Sequence, residues 1–123
     1  MRYMLLIYHN EQIKETLPPE EMAKSESSAL SYIDEATRQR VFVAADPLAS
    51  TATATTVRIQ DGKTMITDGP FAETKEQLAG YFILDCKDLD EALEWAAKFP
   101  MVCSGGAGSV EVRPIRSLVR QAG

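Results

Sequence analysis

The 123-residue sequence has only two cysteines and one histidine, and it lacks a long apolar run. Cys86 and Cys103 are too few for a disulfide framework and do not have metal-ligand spacing. The first apolar run spans Tyr3 to Tyr8, whereas a membrane helix needs about 20 residues. No signal-peptide cleavage pattern follows that run. We therefore expect a cytoplasmic protein with reduced thiols and with no metal, no cofactor and no membrane contact.

Positive charge is also scarce, because 13 lysines and arginines face 18 acidic residues and the formal net charge is −5. Such a chain is poorly suited to bind nucleic acid through its phosphates. Its apolar content of 45% is ordinary for a soluble globular protein. The length predicts one domain, which we place at residues 1–115, with a mobile tail at 116–123.

The apolar pattern predicts six strands and two long helices. The strands at 2–8 and 79–86 are apolar on both faces, which is typical of strands buried on both sides. Residues 9–16 form a predicted loop before a helix at 18–39, and the second helix begins at Asp88 and ends before Pro100. The remaining predicted strands are 41–45, 57–60, 63–67 and 110–113.

This order consists of two strand–helix–strand halves with a hairpin between them. Right-handed crossovers place both helices on one face of a single antiparallel sheet. The sequence therefore predicts an α+β, ferredoxin-like domain with an inserted hairpin. Because the opposite sheet face is also apolar, we expect a homodimer that forms through it.

Two finer features follow from residue spacing. The Asp61-Gly62 pair favours a two-residue hairpin turn, which sets Val57 opposite Ile66 on one face. Asp68 continues that apolar face, so we expect a partly desolvated carboxylate suited to proton transfer. The second helix has a predicted core stripe with Trp95 on its flank, and the stripe consists of Leu89, Ala92, Leu93, Ala96 and Phe99.

Several motifs resemble the YCII-related family, in the branch named for its DGPF motif. They are the Asp68-Gly69-Pro70-Phe71 turn, the ETKE segment at 73–76, the LDEALEWA helix and the SVEVRP strand at 109–114. The resemblance implies the ferredoxin-like fold and a dimeric α/β-barrel arrangement. It also implies that some relatives are small-molecule enzymes, for which a His–Asp pair in a cleft has been proposed. Other DGPF-type proteins resemble partners of extracytoplasmic-function sigma factors.

Asp68 and His9 are the candidate catalytic residues. Asp68 matches the family motif and is an acid–base candidate, although a turn residue bonded to the backbone is an equal alternative. The chain departs from the His–Asp pattern, because its one histidine ends the first strand. His9 is therefore either a general base or a half-buried polar cap.

Four further residues are candidates for binding a substrate: Phe71, Glu73, Lys75 and Tyr81. A solvated surface is the alternative for Glu73 and Lys75, and core packing is the alternative for Phe71 and Tyr81. Lys75 also offers a structural ion pair to Asp68, which would end the acid–base role of that carboxylate.

Two functional hypotheses remain open. The first is a protein that binds or converts a small molecule in a cleft beside the DGPF turn, with Asp68 as acid or base. The alternative is a non-enzymatic regulatory or interaction module associated with extracytoplasmic-function sigma factors.

Overall fold

The computed structural model describes residues 1–101 and 106–117. The predicted order of strands and long helices is confirmed, but the predicted loop at 9–16 contains a short helix. Cys103 and most of the predicted tail lie outside the described residues. The elements are β1 (Arg2–His9), α1 (Glu11–Glu15), α2 (Pro19–Arg38), β2 (Phe42–Pro47), a 3-10 turn (Thr51–Thr53), β3 (Thr55–Gln60), β4 (Lys63–Asp68), β5 (Gln77–Asp85), α3 (Leu89–Ala97) and β6 (Ser109–Pro114).

Four strands form an antiparallel sheet in the order β2-β5-β1-β6, and β3 and β4 form a separate two-stranded hairpin. Helix α2 connects β1 to β2, and helix α3 connects β5 to β6. The central strands therefore come from different halves of the chain. This architecture is a mixed α+β fold and is consistent with the predicted ferredoxin-like arrangement.

The core lies between the two long helices and one face of the sheet. Tyr32 of α2 donates a hydrogen bond of 2.6 Å to the carbonyl of Trp95 in α3. Its ring makes edge-to-face contacts with Trp95, Phe82 and Phe99. Such contacts stabilise aromatic pairs beyond their burial. The sheet contributes Tyr3, Leu5, Ile7, Phe82 and Leu84 to the same cluster.

The predicted core stripe of α3 is partly wrong. Ala92 and Trp95 are buried, whereas Leu89 and Leu93 are 47% and 46% exposed. Residues advance about 100° along an α-helix, so Leu93 points about 100° from Ala92 while Trp95 lies about 60° to the other side. The larger ring of Trp95 gains more from burial, and the helix therefore turns that side to the sheet.

Asp88 and Glu91 form the capping-box pattern in the sequence, which predicts that Glu91 accepts from the N–H of Asp88, and the α3 cap differs from this prediction in one detail. Asp88 accepts a hydrogen bond of 2.9 Å from the backbone N–H of Glu91, as expected for an N-cap. The Glu91 carboxylate accepts from the N–H of Lys87 rather than from that of Asp88. The reciprocal half of the capping box is thus displaced by one residue.

The hairpin has the predicted turn and register. Asp61 and Gly62 both have positive φ, as a type I′ turn requires. Val57 pairs with Ile66, and Ile59 pairs with Thr64. Ile59 and Ile66 are nevertheless 74% and 71% exposed, so the apolar face of the hairpin is solvated in the single chain.

The sheet face opposite the helices has an apolar centre. Met4 pairs with Ile83, and Leu6 pairs with Tyr81 of the neighbouring strand. These side chains alternate with the buried ones along β1 and β5, so they lie on the uncovered face. We call this surface the open sheet face. None of the helices in the described part of the chain is long and apolar enough to span a membrane.

Candidate functional site

The DGPF turn follows the last residue of β4. Gly69 has a φ of 102°, which strongly favours glycine over residues with a Cβ. Its N–H donates to the carbonyl of Ala54 at 2.7 Å, and its own carbonyl accepts from the hydroxyl of Thr56 at 2.7 Å. The turn is therefore fixed to the chain that enters β3.

Asp68 ends β4 opposite Thr55, on the hairpin face that carries Val57 and Ile66. The predicted placement on this face is confirmed, but the predicted desolvation is wrong for the single chain because Asp68 is exposed. Across residues 1–101 and 106–117, its carboxylate makes no ion pair with Lys75 and no hydrogen bond. The structural ion pair considered above is therefore not present.

His9 ends β1 and is only 4% exposed, which is more buried than the expected polar cap. It pairs across the sheet with Gln77. The Gln77 side chain accepts a hydrogen bond of 3.0 Å from the N–H of Glu11. Strand pairing and this bond thus hold His9 and Glu11 at one end of the sheet.

The Glu11 carboxylate is bound by Thr51. Oε1 accepts from the backbone N–H at 2.9 Å, and Oε2 accepts from the hydroxyl at 2.8 Å. Partial burial raises the pKa of Glu11, but the two Thr51 hydrogen bonds, the nearby His9 and Ser50 together lower it below the usual glutamate value. The carboxylate therefore stays ionised at neutral pH beside the buried imidazole.

The residues around the 3-10 turn connect these two regions. Thr51 holds Glu11, and three residues later Ala54 holds Gly69. The rise of a 3-10 helix is about 2 Å per residue, so the two anchors are separated by roughly 6 Å along the chain axis. The end of β1 and the DGPF turn are therefore attached to the same short segment.

An open cavity of about 650 Å³ lies where β1 ends and β6 begins. The Ser109 hydroxyl donates to Glu76 Oε1 at 2.8 Å, and the Tyr8 hydroxyl donates to Glu111 Oε1 at 3.2 Å. Burial and this bond to Glu111 raise the pKa of Tyr8. The cavity is lined by Tyr8, Thr74, Lys75, Glu76, Ser109, Val110 and Glu111.

The other predicted binding residues are not gathered in this cavity. Phe71 is 79% exposed, so core packing is wrong for this ring. Glu73 is exposed. Tyr81 lies on the open sheet face and donates a hydrogen bond of 2.6 Å to Asp46, which raises the pKa of its hydroxyl. Among the predicted binding residues, Lys75 lines the cavity.

Sequence reasoning did not single out Glu11, Thr51, Tyr8 or Glu111. The alternation of β1 and β6 could have placed Tyr8 and Glu111 on one sheet face, but only the fold brings their strands together. In the part of the chain that the structure describes, no group of three or more His, Cys, Asp or Glu residues is arranged to hold a metal ion.

These features define a small α+β domain with a four-stranded antiparallel sheet and a candidate site at a strand end. The model of the YCII-related domain matches residues 1–118, so the chain belongs to the YCII-related family, as the motifs indicated. It is also similar to an uncharacterised protein of Rhizobium meliloti (strain 1021). The two are 38% identical over 121 residues, which cover 94% of this chain and 92% of that protein.

Proposed function

We propose that this protein binds, and converts, a small molecule in a cleft between the DGPF turn and the end of β1. Asp68 acts as the acid or base, and His9 assists it. The observation that carries the proposal is the shared attachment of both regions to the segment from Thr51 to Ala54. A short segment that is fixed at both ends can keep two catalytic groups in a constant position relative to each other.

The buried imidazole supports this role. A histidine changes its charge near neutral pH, and a neighbouring carboxylate can orient such a ring and stabilise its cation. Glu11 is an ionised carboxylate beside His9 and is itself held by two hydrogen bonds from Thr51. This arrangement differs from the His–Asp pair implied by the family resemblance, because the carboxylate beside His9 belongs to Glu11.

Asp68 is solvated in the single chain, so its role requires that water be excluded when a ligand binds. The exposed ring of Phe71, three residues away, offers an apolar surface for that purpose. On the strength of the motif from Asp68 to Phe71, we also assign the chain to the DGPF-motif branch. The predicted cytoplasmic location stays a prediction.

We further propose a homodimer that forms through the open sheet face, as in a dimeric α/β barrel. Met4, Leu6 and Ile83 supply an apolar centre. Hydrogen-bonded tyrosine–carboxylate pairs flank it, at Tyr81 with Asp46 and at Tyr8 with Glu111. An apolar centre with a polar rim is typical of protein interfaces, and a two-fold partner would cover that centre.

A metabolite screen tests the small-molecule function. A ligand present at 100 times its Kd adds about 2.7 kcal/mol of stability, which a thermal-shift assay detects. NMR spectra of each hit, recorded over hours with the protein, report whether the ligand is converted. We expect at least one stabilising ligand, and we expect conversion to be lost in Asp68→Asn and reduced in His9→Gln.

Asp61→Asn is the matched control, because Asp61 lies in the exposed turn of the same hairpin and should leave conversion unchanged. A ligand that is converted equally well by the wild type and by Asp68→Asn would overturn the acid–base role. A screen without any stabilising ligand would overturn the small-molecule function itself.

A further inference from the structure

The open cavity beside β6 has a distinctive set of hydrogen-bonding groups. Its two carboxylates, Glu76 and Glu111, come from different parts of the chain. The Ser109 hydroxyl donates a hydrogen bond to Glu76, and the Tyr8 hydroxyl donates one to Glu111. Ser109 and Glu111 lie two residues apart on β6 and on one face of the sheet, so their Cα atoms are separated by about 7 Å. Both carboxylates therefore belong to one small site.

Each carboxylate has one oxygen left for a ligand. Ser109 and Tyr8 bind the Oε1 atoms of Glu76 and Glu111. Within the described ranges, no protein group donates a hydrogen bond to either Oε2 atom. The two hydroxyls have only one proton each and have already donated it, so they add acceptors rather than donors. The free groups on this side of the cavity are thus hydrogen-bond acceptors.

The hydrogen bond from Tyr8 to Glu111 persists at neutral pH, where a phenol keeps its proton. Burial and the bond to Glu111 raise the pKa of Tyr8 further. Glu111 is therefore held in place by a proton that is not lost in the physiological range. Because the Glu111 side chain is already held in one orientation, it loses less conformational entropy when a ligand binds.

Lys75 provides the opposite charge. It lines the same cavity next to Glu76, and its ammonium makes no ion pair with the described residues. The cavity is therefore lined by two carboxylate residues and by a lysine that makes no ion pair with the described residues. A complementary ligand carries a cation with several N–H donors and an anion that can reach the lysine.

We propose that this cavity binds a small amino-acid-like zwitterion, with its ammonium between Glu76 and Glu111 and its carboxylate on Lys75. The volume of about 650 Å³ is in the range of small-molecule sites. Neither Asp68 nor His9 lines this cavity, so the inference goes beyond the proposed function and names a second site.

Three compounds of similar size separate the charge requirements: 4-aminobutyrate carries both charges, butyrate only the anion and butylammonium only the cation. Amide NMR spectra of the full chain report their binding. We expect 4-aminobutyrate to shift the amides of residues 74–76 and 109–111 in a saturable way. Butyrate and butylammonium should each bind roughly tenfold more weakly, since each lacks one charged contact.

Substitutions of the cavity residues show which side chain contacts which charged group of the ligand. Glu76→Gln and Glu111→Gln should each weaken 4-aminobutyrate binding by about tenfold while leaving butyrate binding unchanged, and Lys75→Met should weaken both. Glu94→Gln, an exposed residue of α3, is the control and should bind like the wild type. Equal binding of butyrate and 4-aminobutyrate, or shifts confined to other residues, would overturn the proposal.

The outcome is separable from that of the proposed function. If a screened metabolite is converted in an Asp68-dependent way and 4-aminobutyrate does not bind, the ligand class proposed here is wrong and the function stands. If 4-aminobutyrate binds at residues 74–76 and 109–111 with equal affinity in Asp68→Asn, and no metabolite is converted, the ligand class stands and the acid–base role is wrong.

Discussion

Glu11 and Thr51, forty residues apart in sequence, are joined by two hydrogen bonds of 2.9 Å and 2.8 Å. Both oxygens of the carboxylate are used, one by the backbone N–H and one by the hydroxyl. The pair fixes the segment after β2 to the first residue of α1, two residues beyond the end of β1. Its strength depends on the charge of Glu11, because hydrogen bonds to a carboxylate are stronger than those to a neutral acid.

This pair predicts a specific dependence of stability on pH. The pKa of Glu11 is lower in the folded chain than its usual value of 4.5, so folding favours the ionised form. The contribution is fully present above about pH 4.5 and is lost as the pH falls through the lower folded pKa. Glu11→Gln should lower the free energy of unfolding by about 1 kcal/mol at pH 7.

Urea denaturation of the wild type and the variant at pH 7 and at pH 3 measures this difference. The difference should shrink as the pH falls through the folded pKa of Glu11, because protonation removes the charge that strengthens both hydrogen bonds. Glu94→Gln is the control, since Glu94 is exposed on α3 and should show little difference at either pH. An unchanged difference between Glu11→Gln and the wild type across this range would contradict the proposed ionic origin.

The orientation of α3 leads to a second prediction. Leu84 of β5 is fully buried, whereas Leu93 is 46% exposed. Leu84→Ala should cost about 2–5 kcal/mol through lost burial and a cavity, and Leu93→Ala should cost less than about 1 kcal/mol. Chemical denaturation midpoints compare the two variants. A larger loss for Leu93→Ala would mean that the Leu93 side of α3 is covered in the protein in solution.

The sequence was sufficient where structure depends on neighbouring residues. The Asp61-Gly62 turn and the Asp88 cap are local arrangements, and both are present. The sequence was insufficient where a contact joins distant segments. Nothing near Glu11 indicates Thr51, and nothing near Tyr8 indicates Glu111, because each pair forms only when the fold brings its strands together.

The same distinction explains the error at α3 and the error at Asp68. The apolar spacing of α3 allows two neighbouring faces, and only packing against Tyr32 selects the one with Trp95. The hairpin register was predicted correctly, but register does not reveal whether a face is covered. Asp68 therefore occupies the predicted face and is still solvated.

A third prediction concerns the contact between β2 and β5. A Cβ at Gly80 would lie 2.7 Å from the carbonyl oxygen of Asp46 and 3.1 Å from Cα of Pro47. Backbone atoms cannot move aside as easily as a flexible side chain. Gly80→Ala should therefore destabilise the protein by about 1–3 kcal/mol, measured by urea denaturation. A loss below about 0.5 kcal/mol would show that β2 can shift away without cost.

The last prediction tests the proposed homodimer at its centre. Leu6 lies between Tyr81 and Glu111 on the open sheet face. Burying an unpaired lysine ammonium in an apolar interface is costly, so Leu6→Lys should convert a dimer into a monomer. Light scattering coupled to gel filtration at micromolar concentration gives the mass directly. The wild type should be a dimer under the same conditions.

Ile59→Lys is the matched control for this experiment, because Ile59 is also apolar but lies on the hairpin and is 74% exposed. If the open sheet face is the interface, this variant remains a dimer and Leu6→Lys does not. A monomeric wild type would overturn the homodimer. If only Ile59→Lys is monomeric, the two copies meet through the hairpin instead, and the open sheet face is not the interface between them.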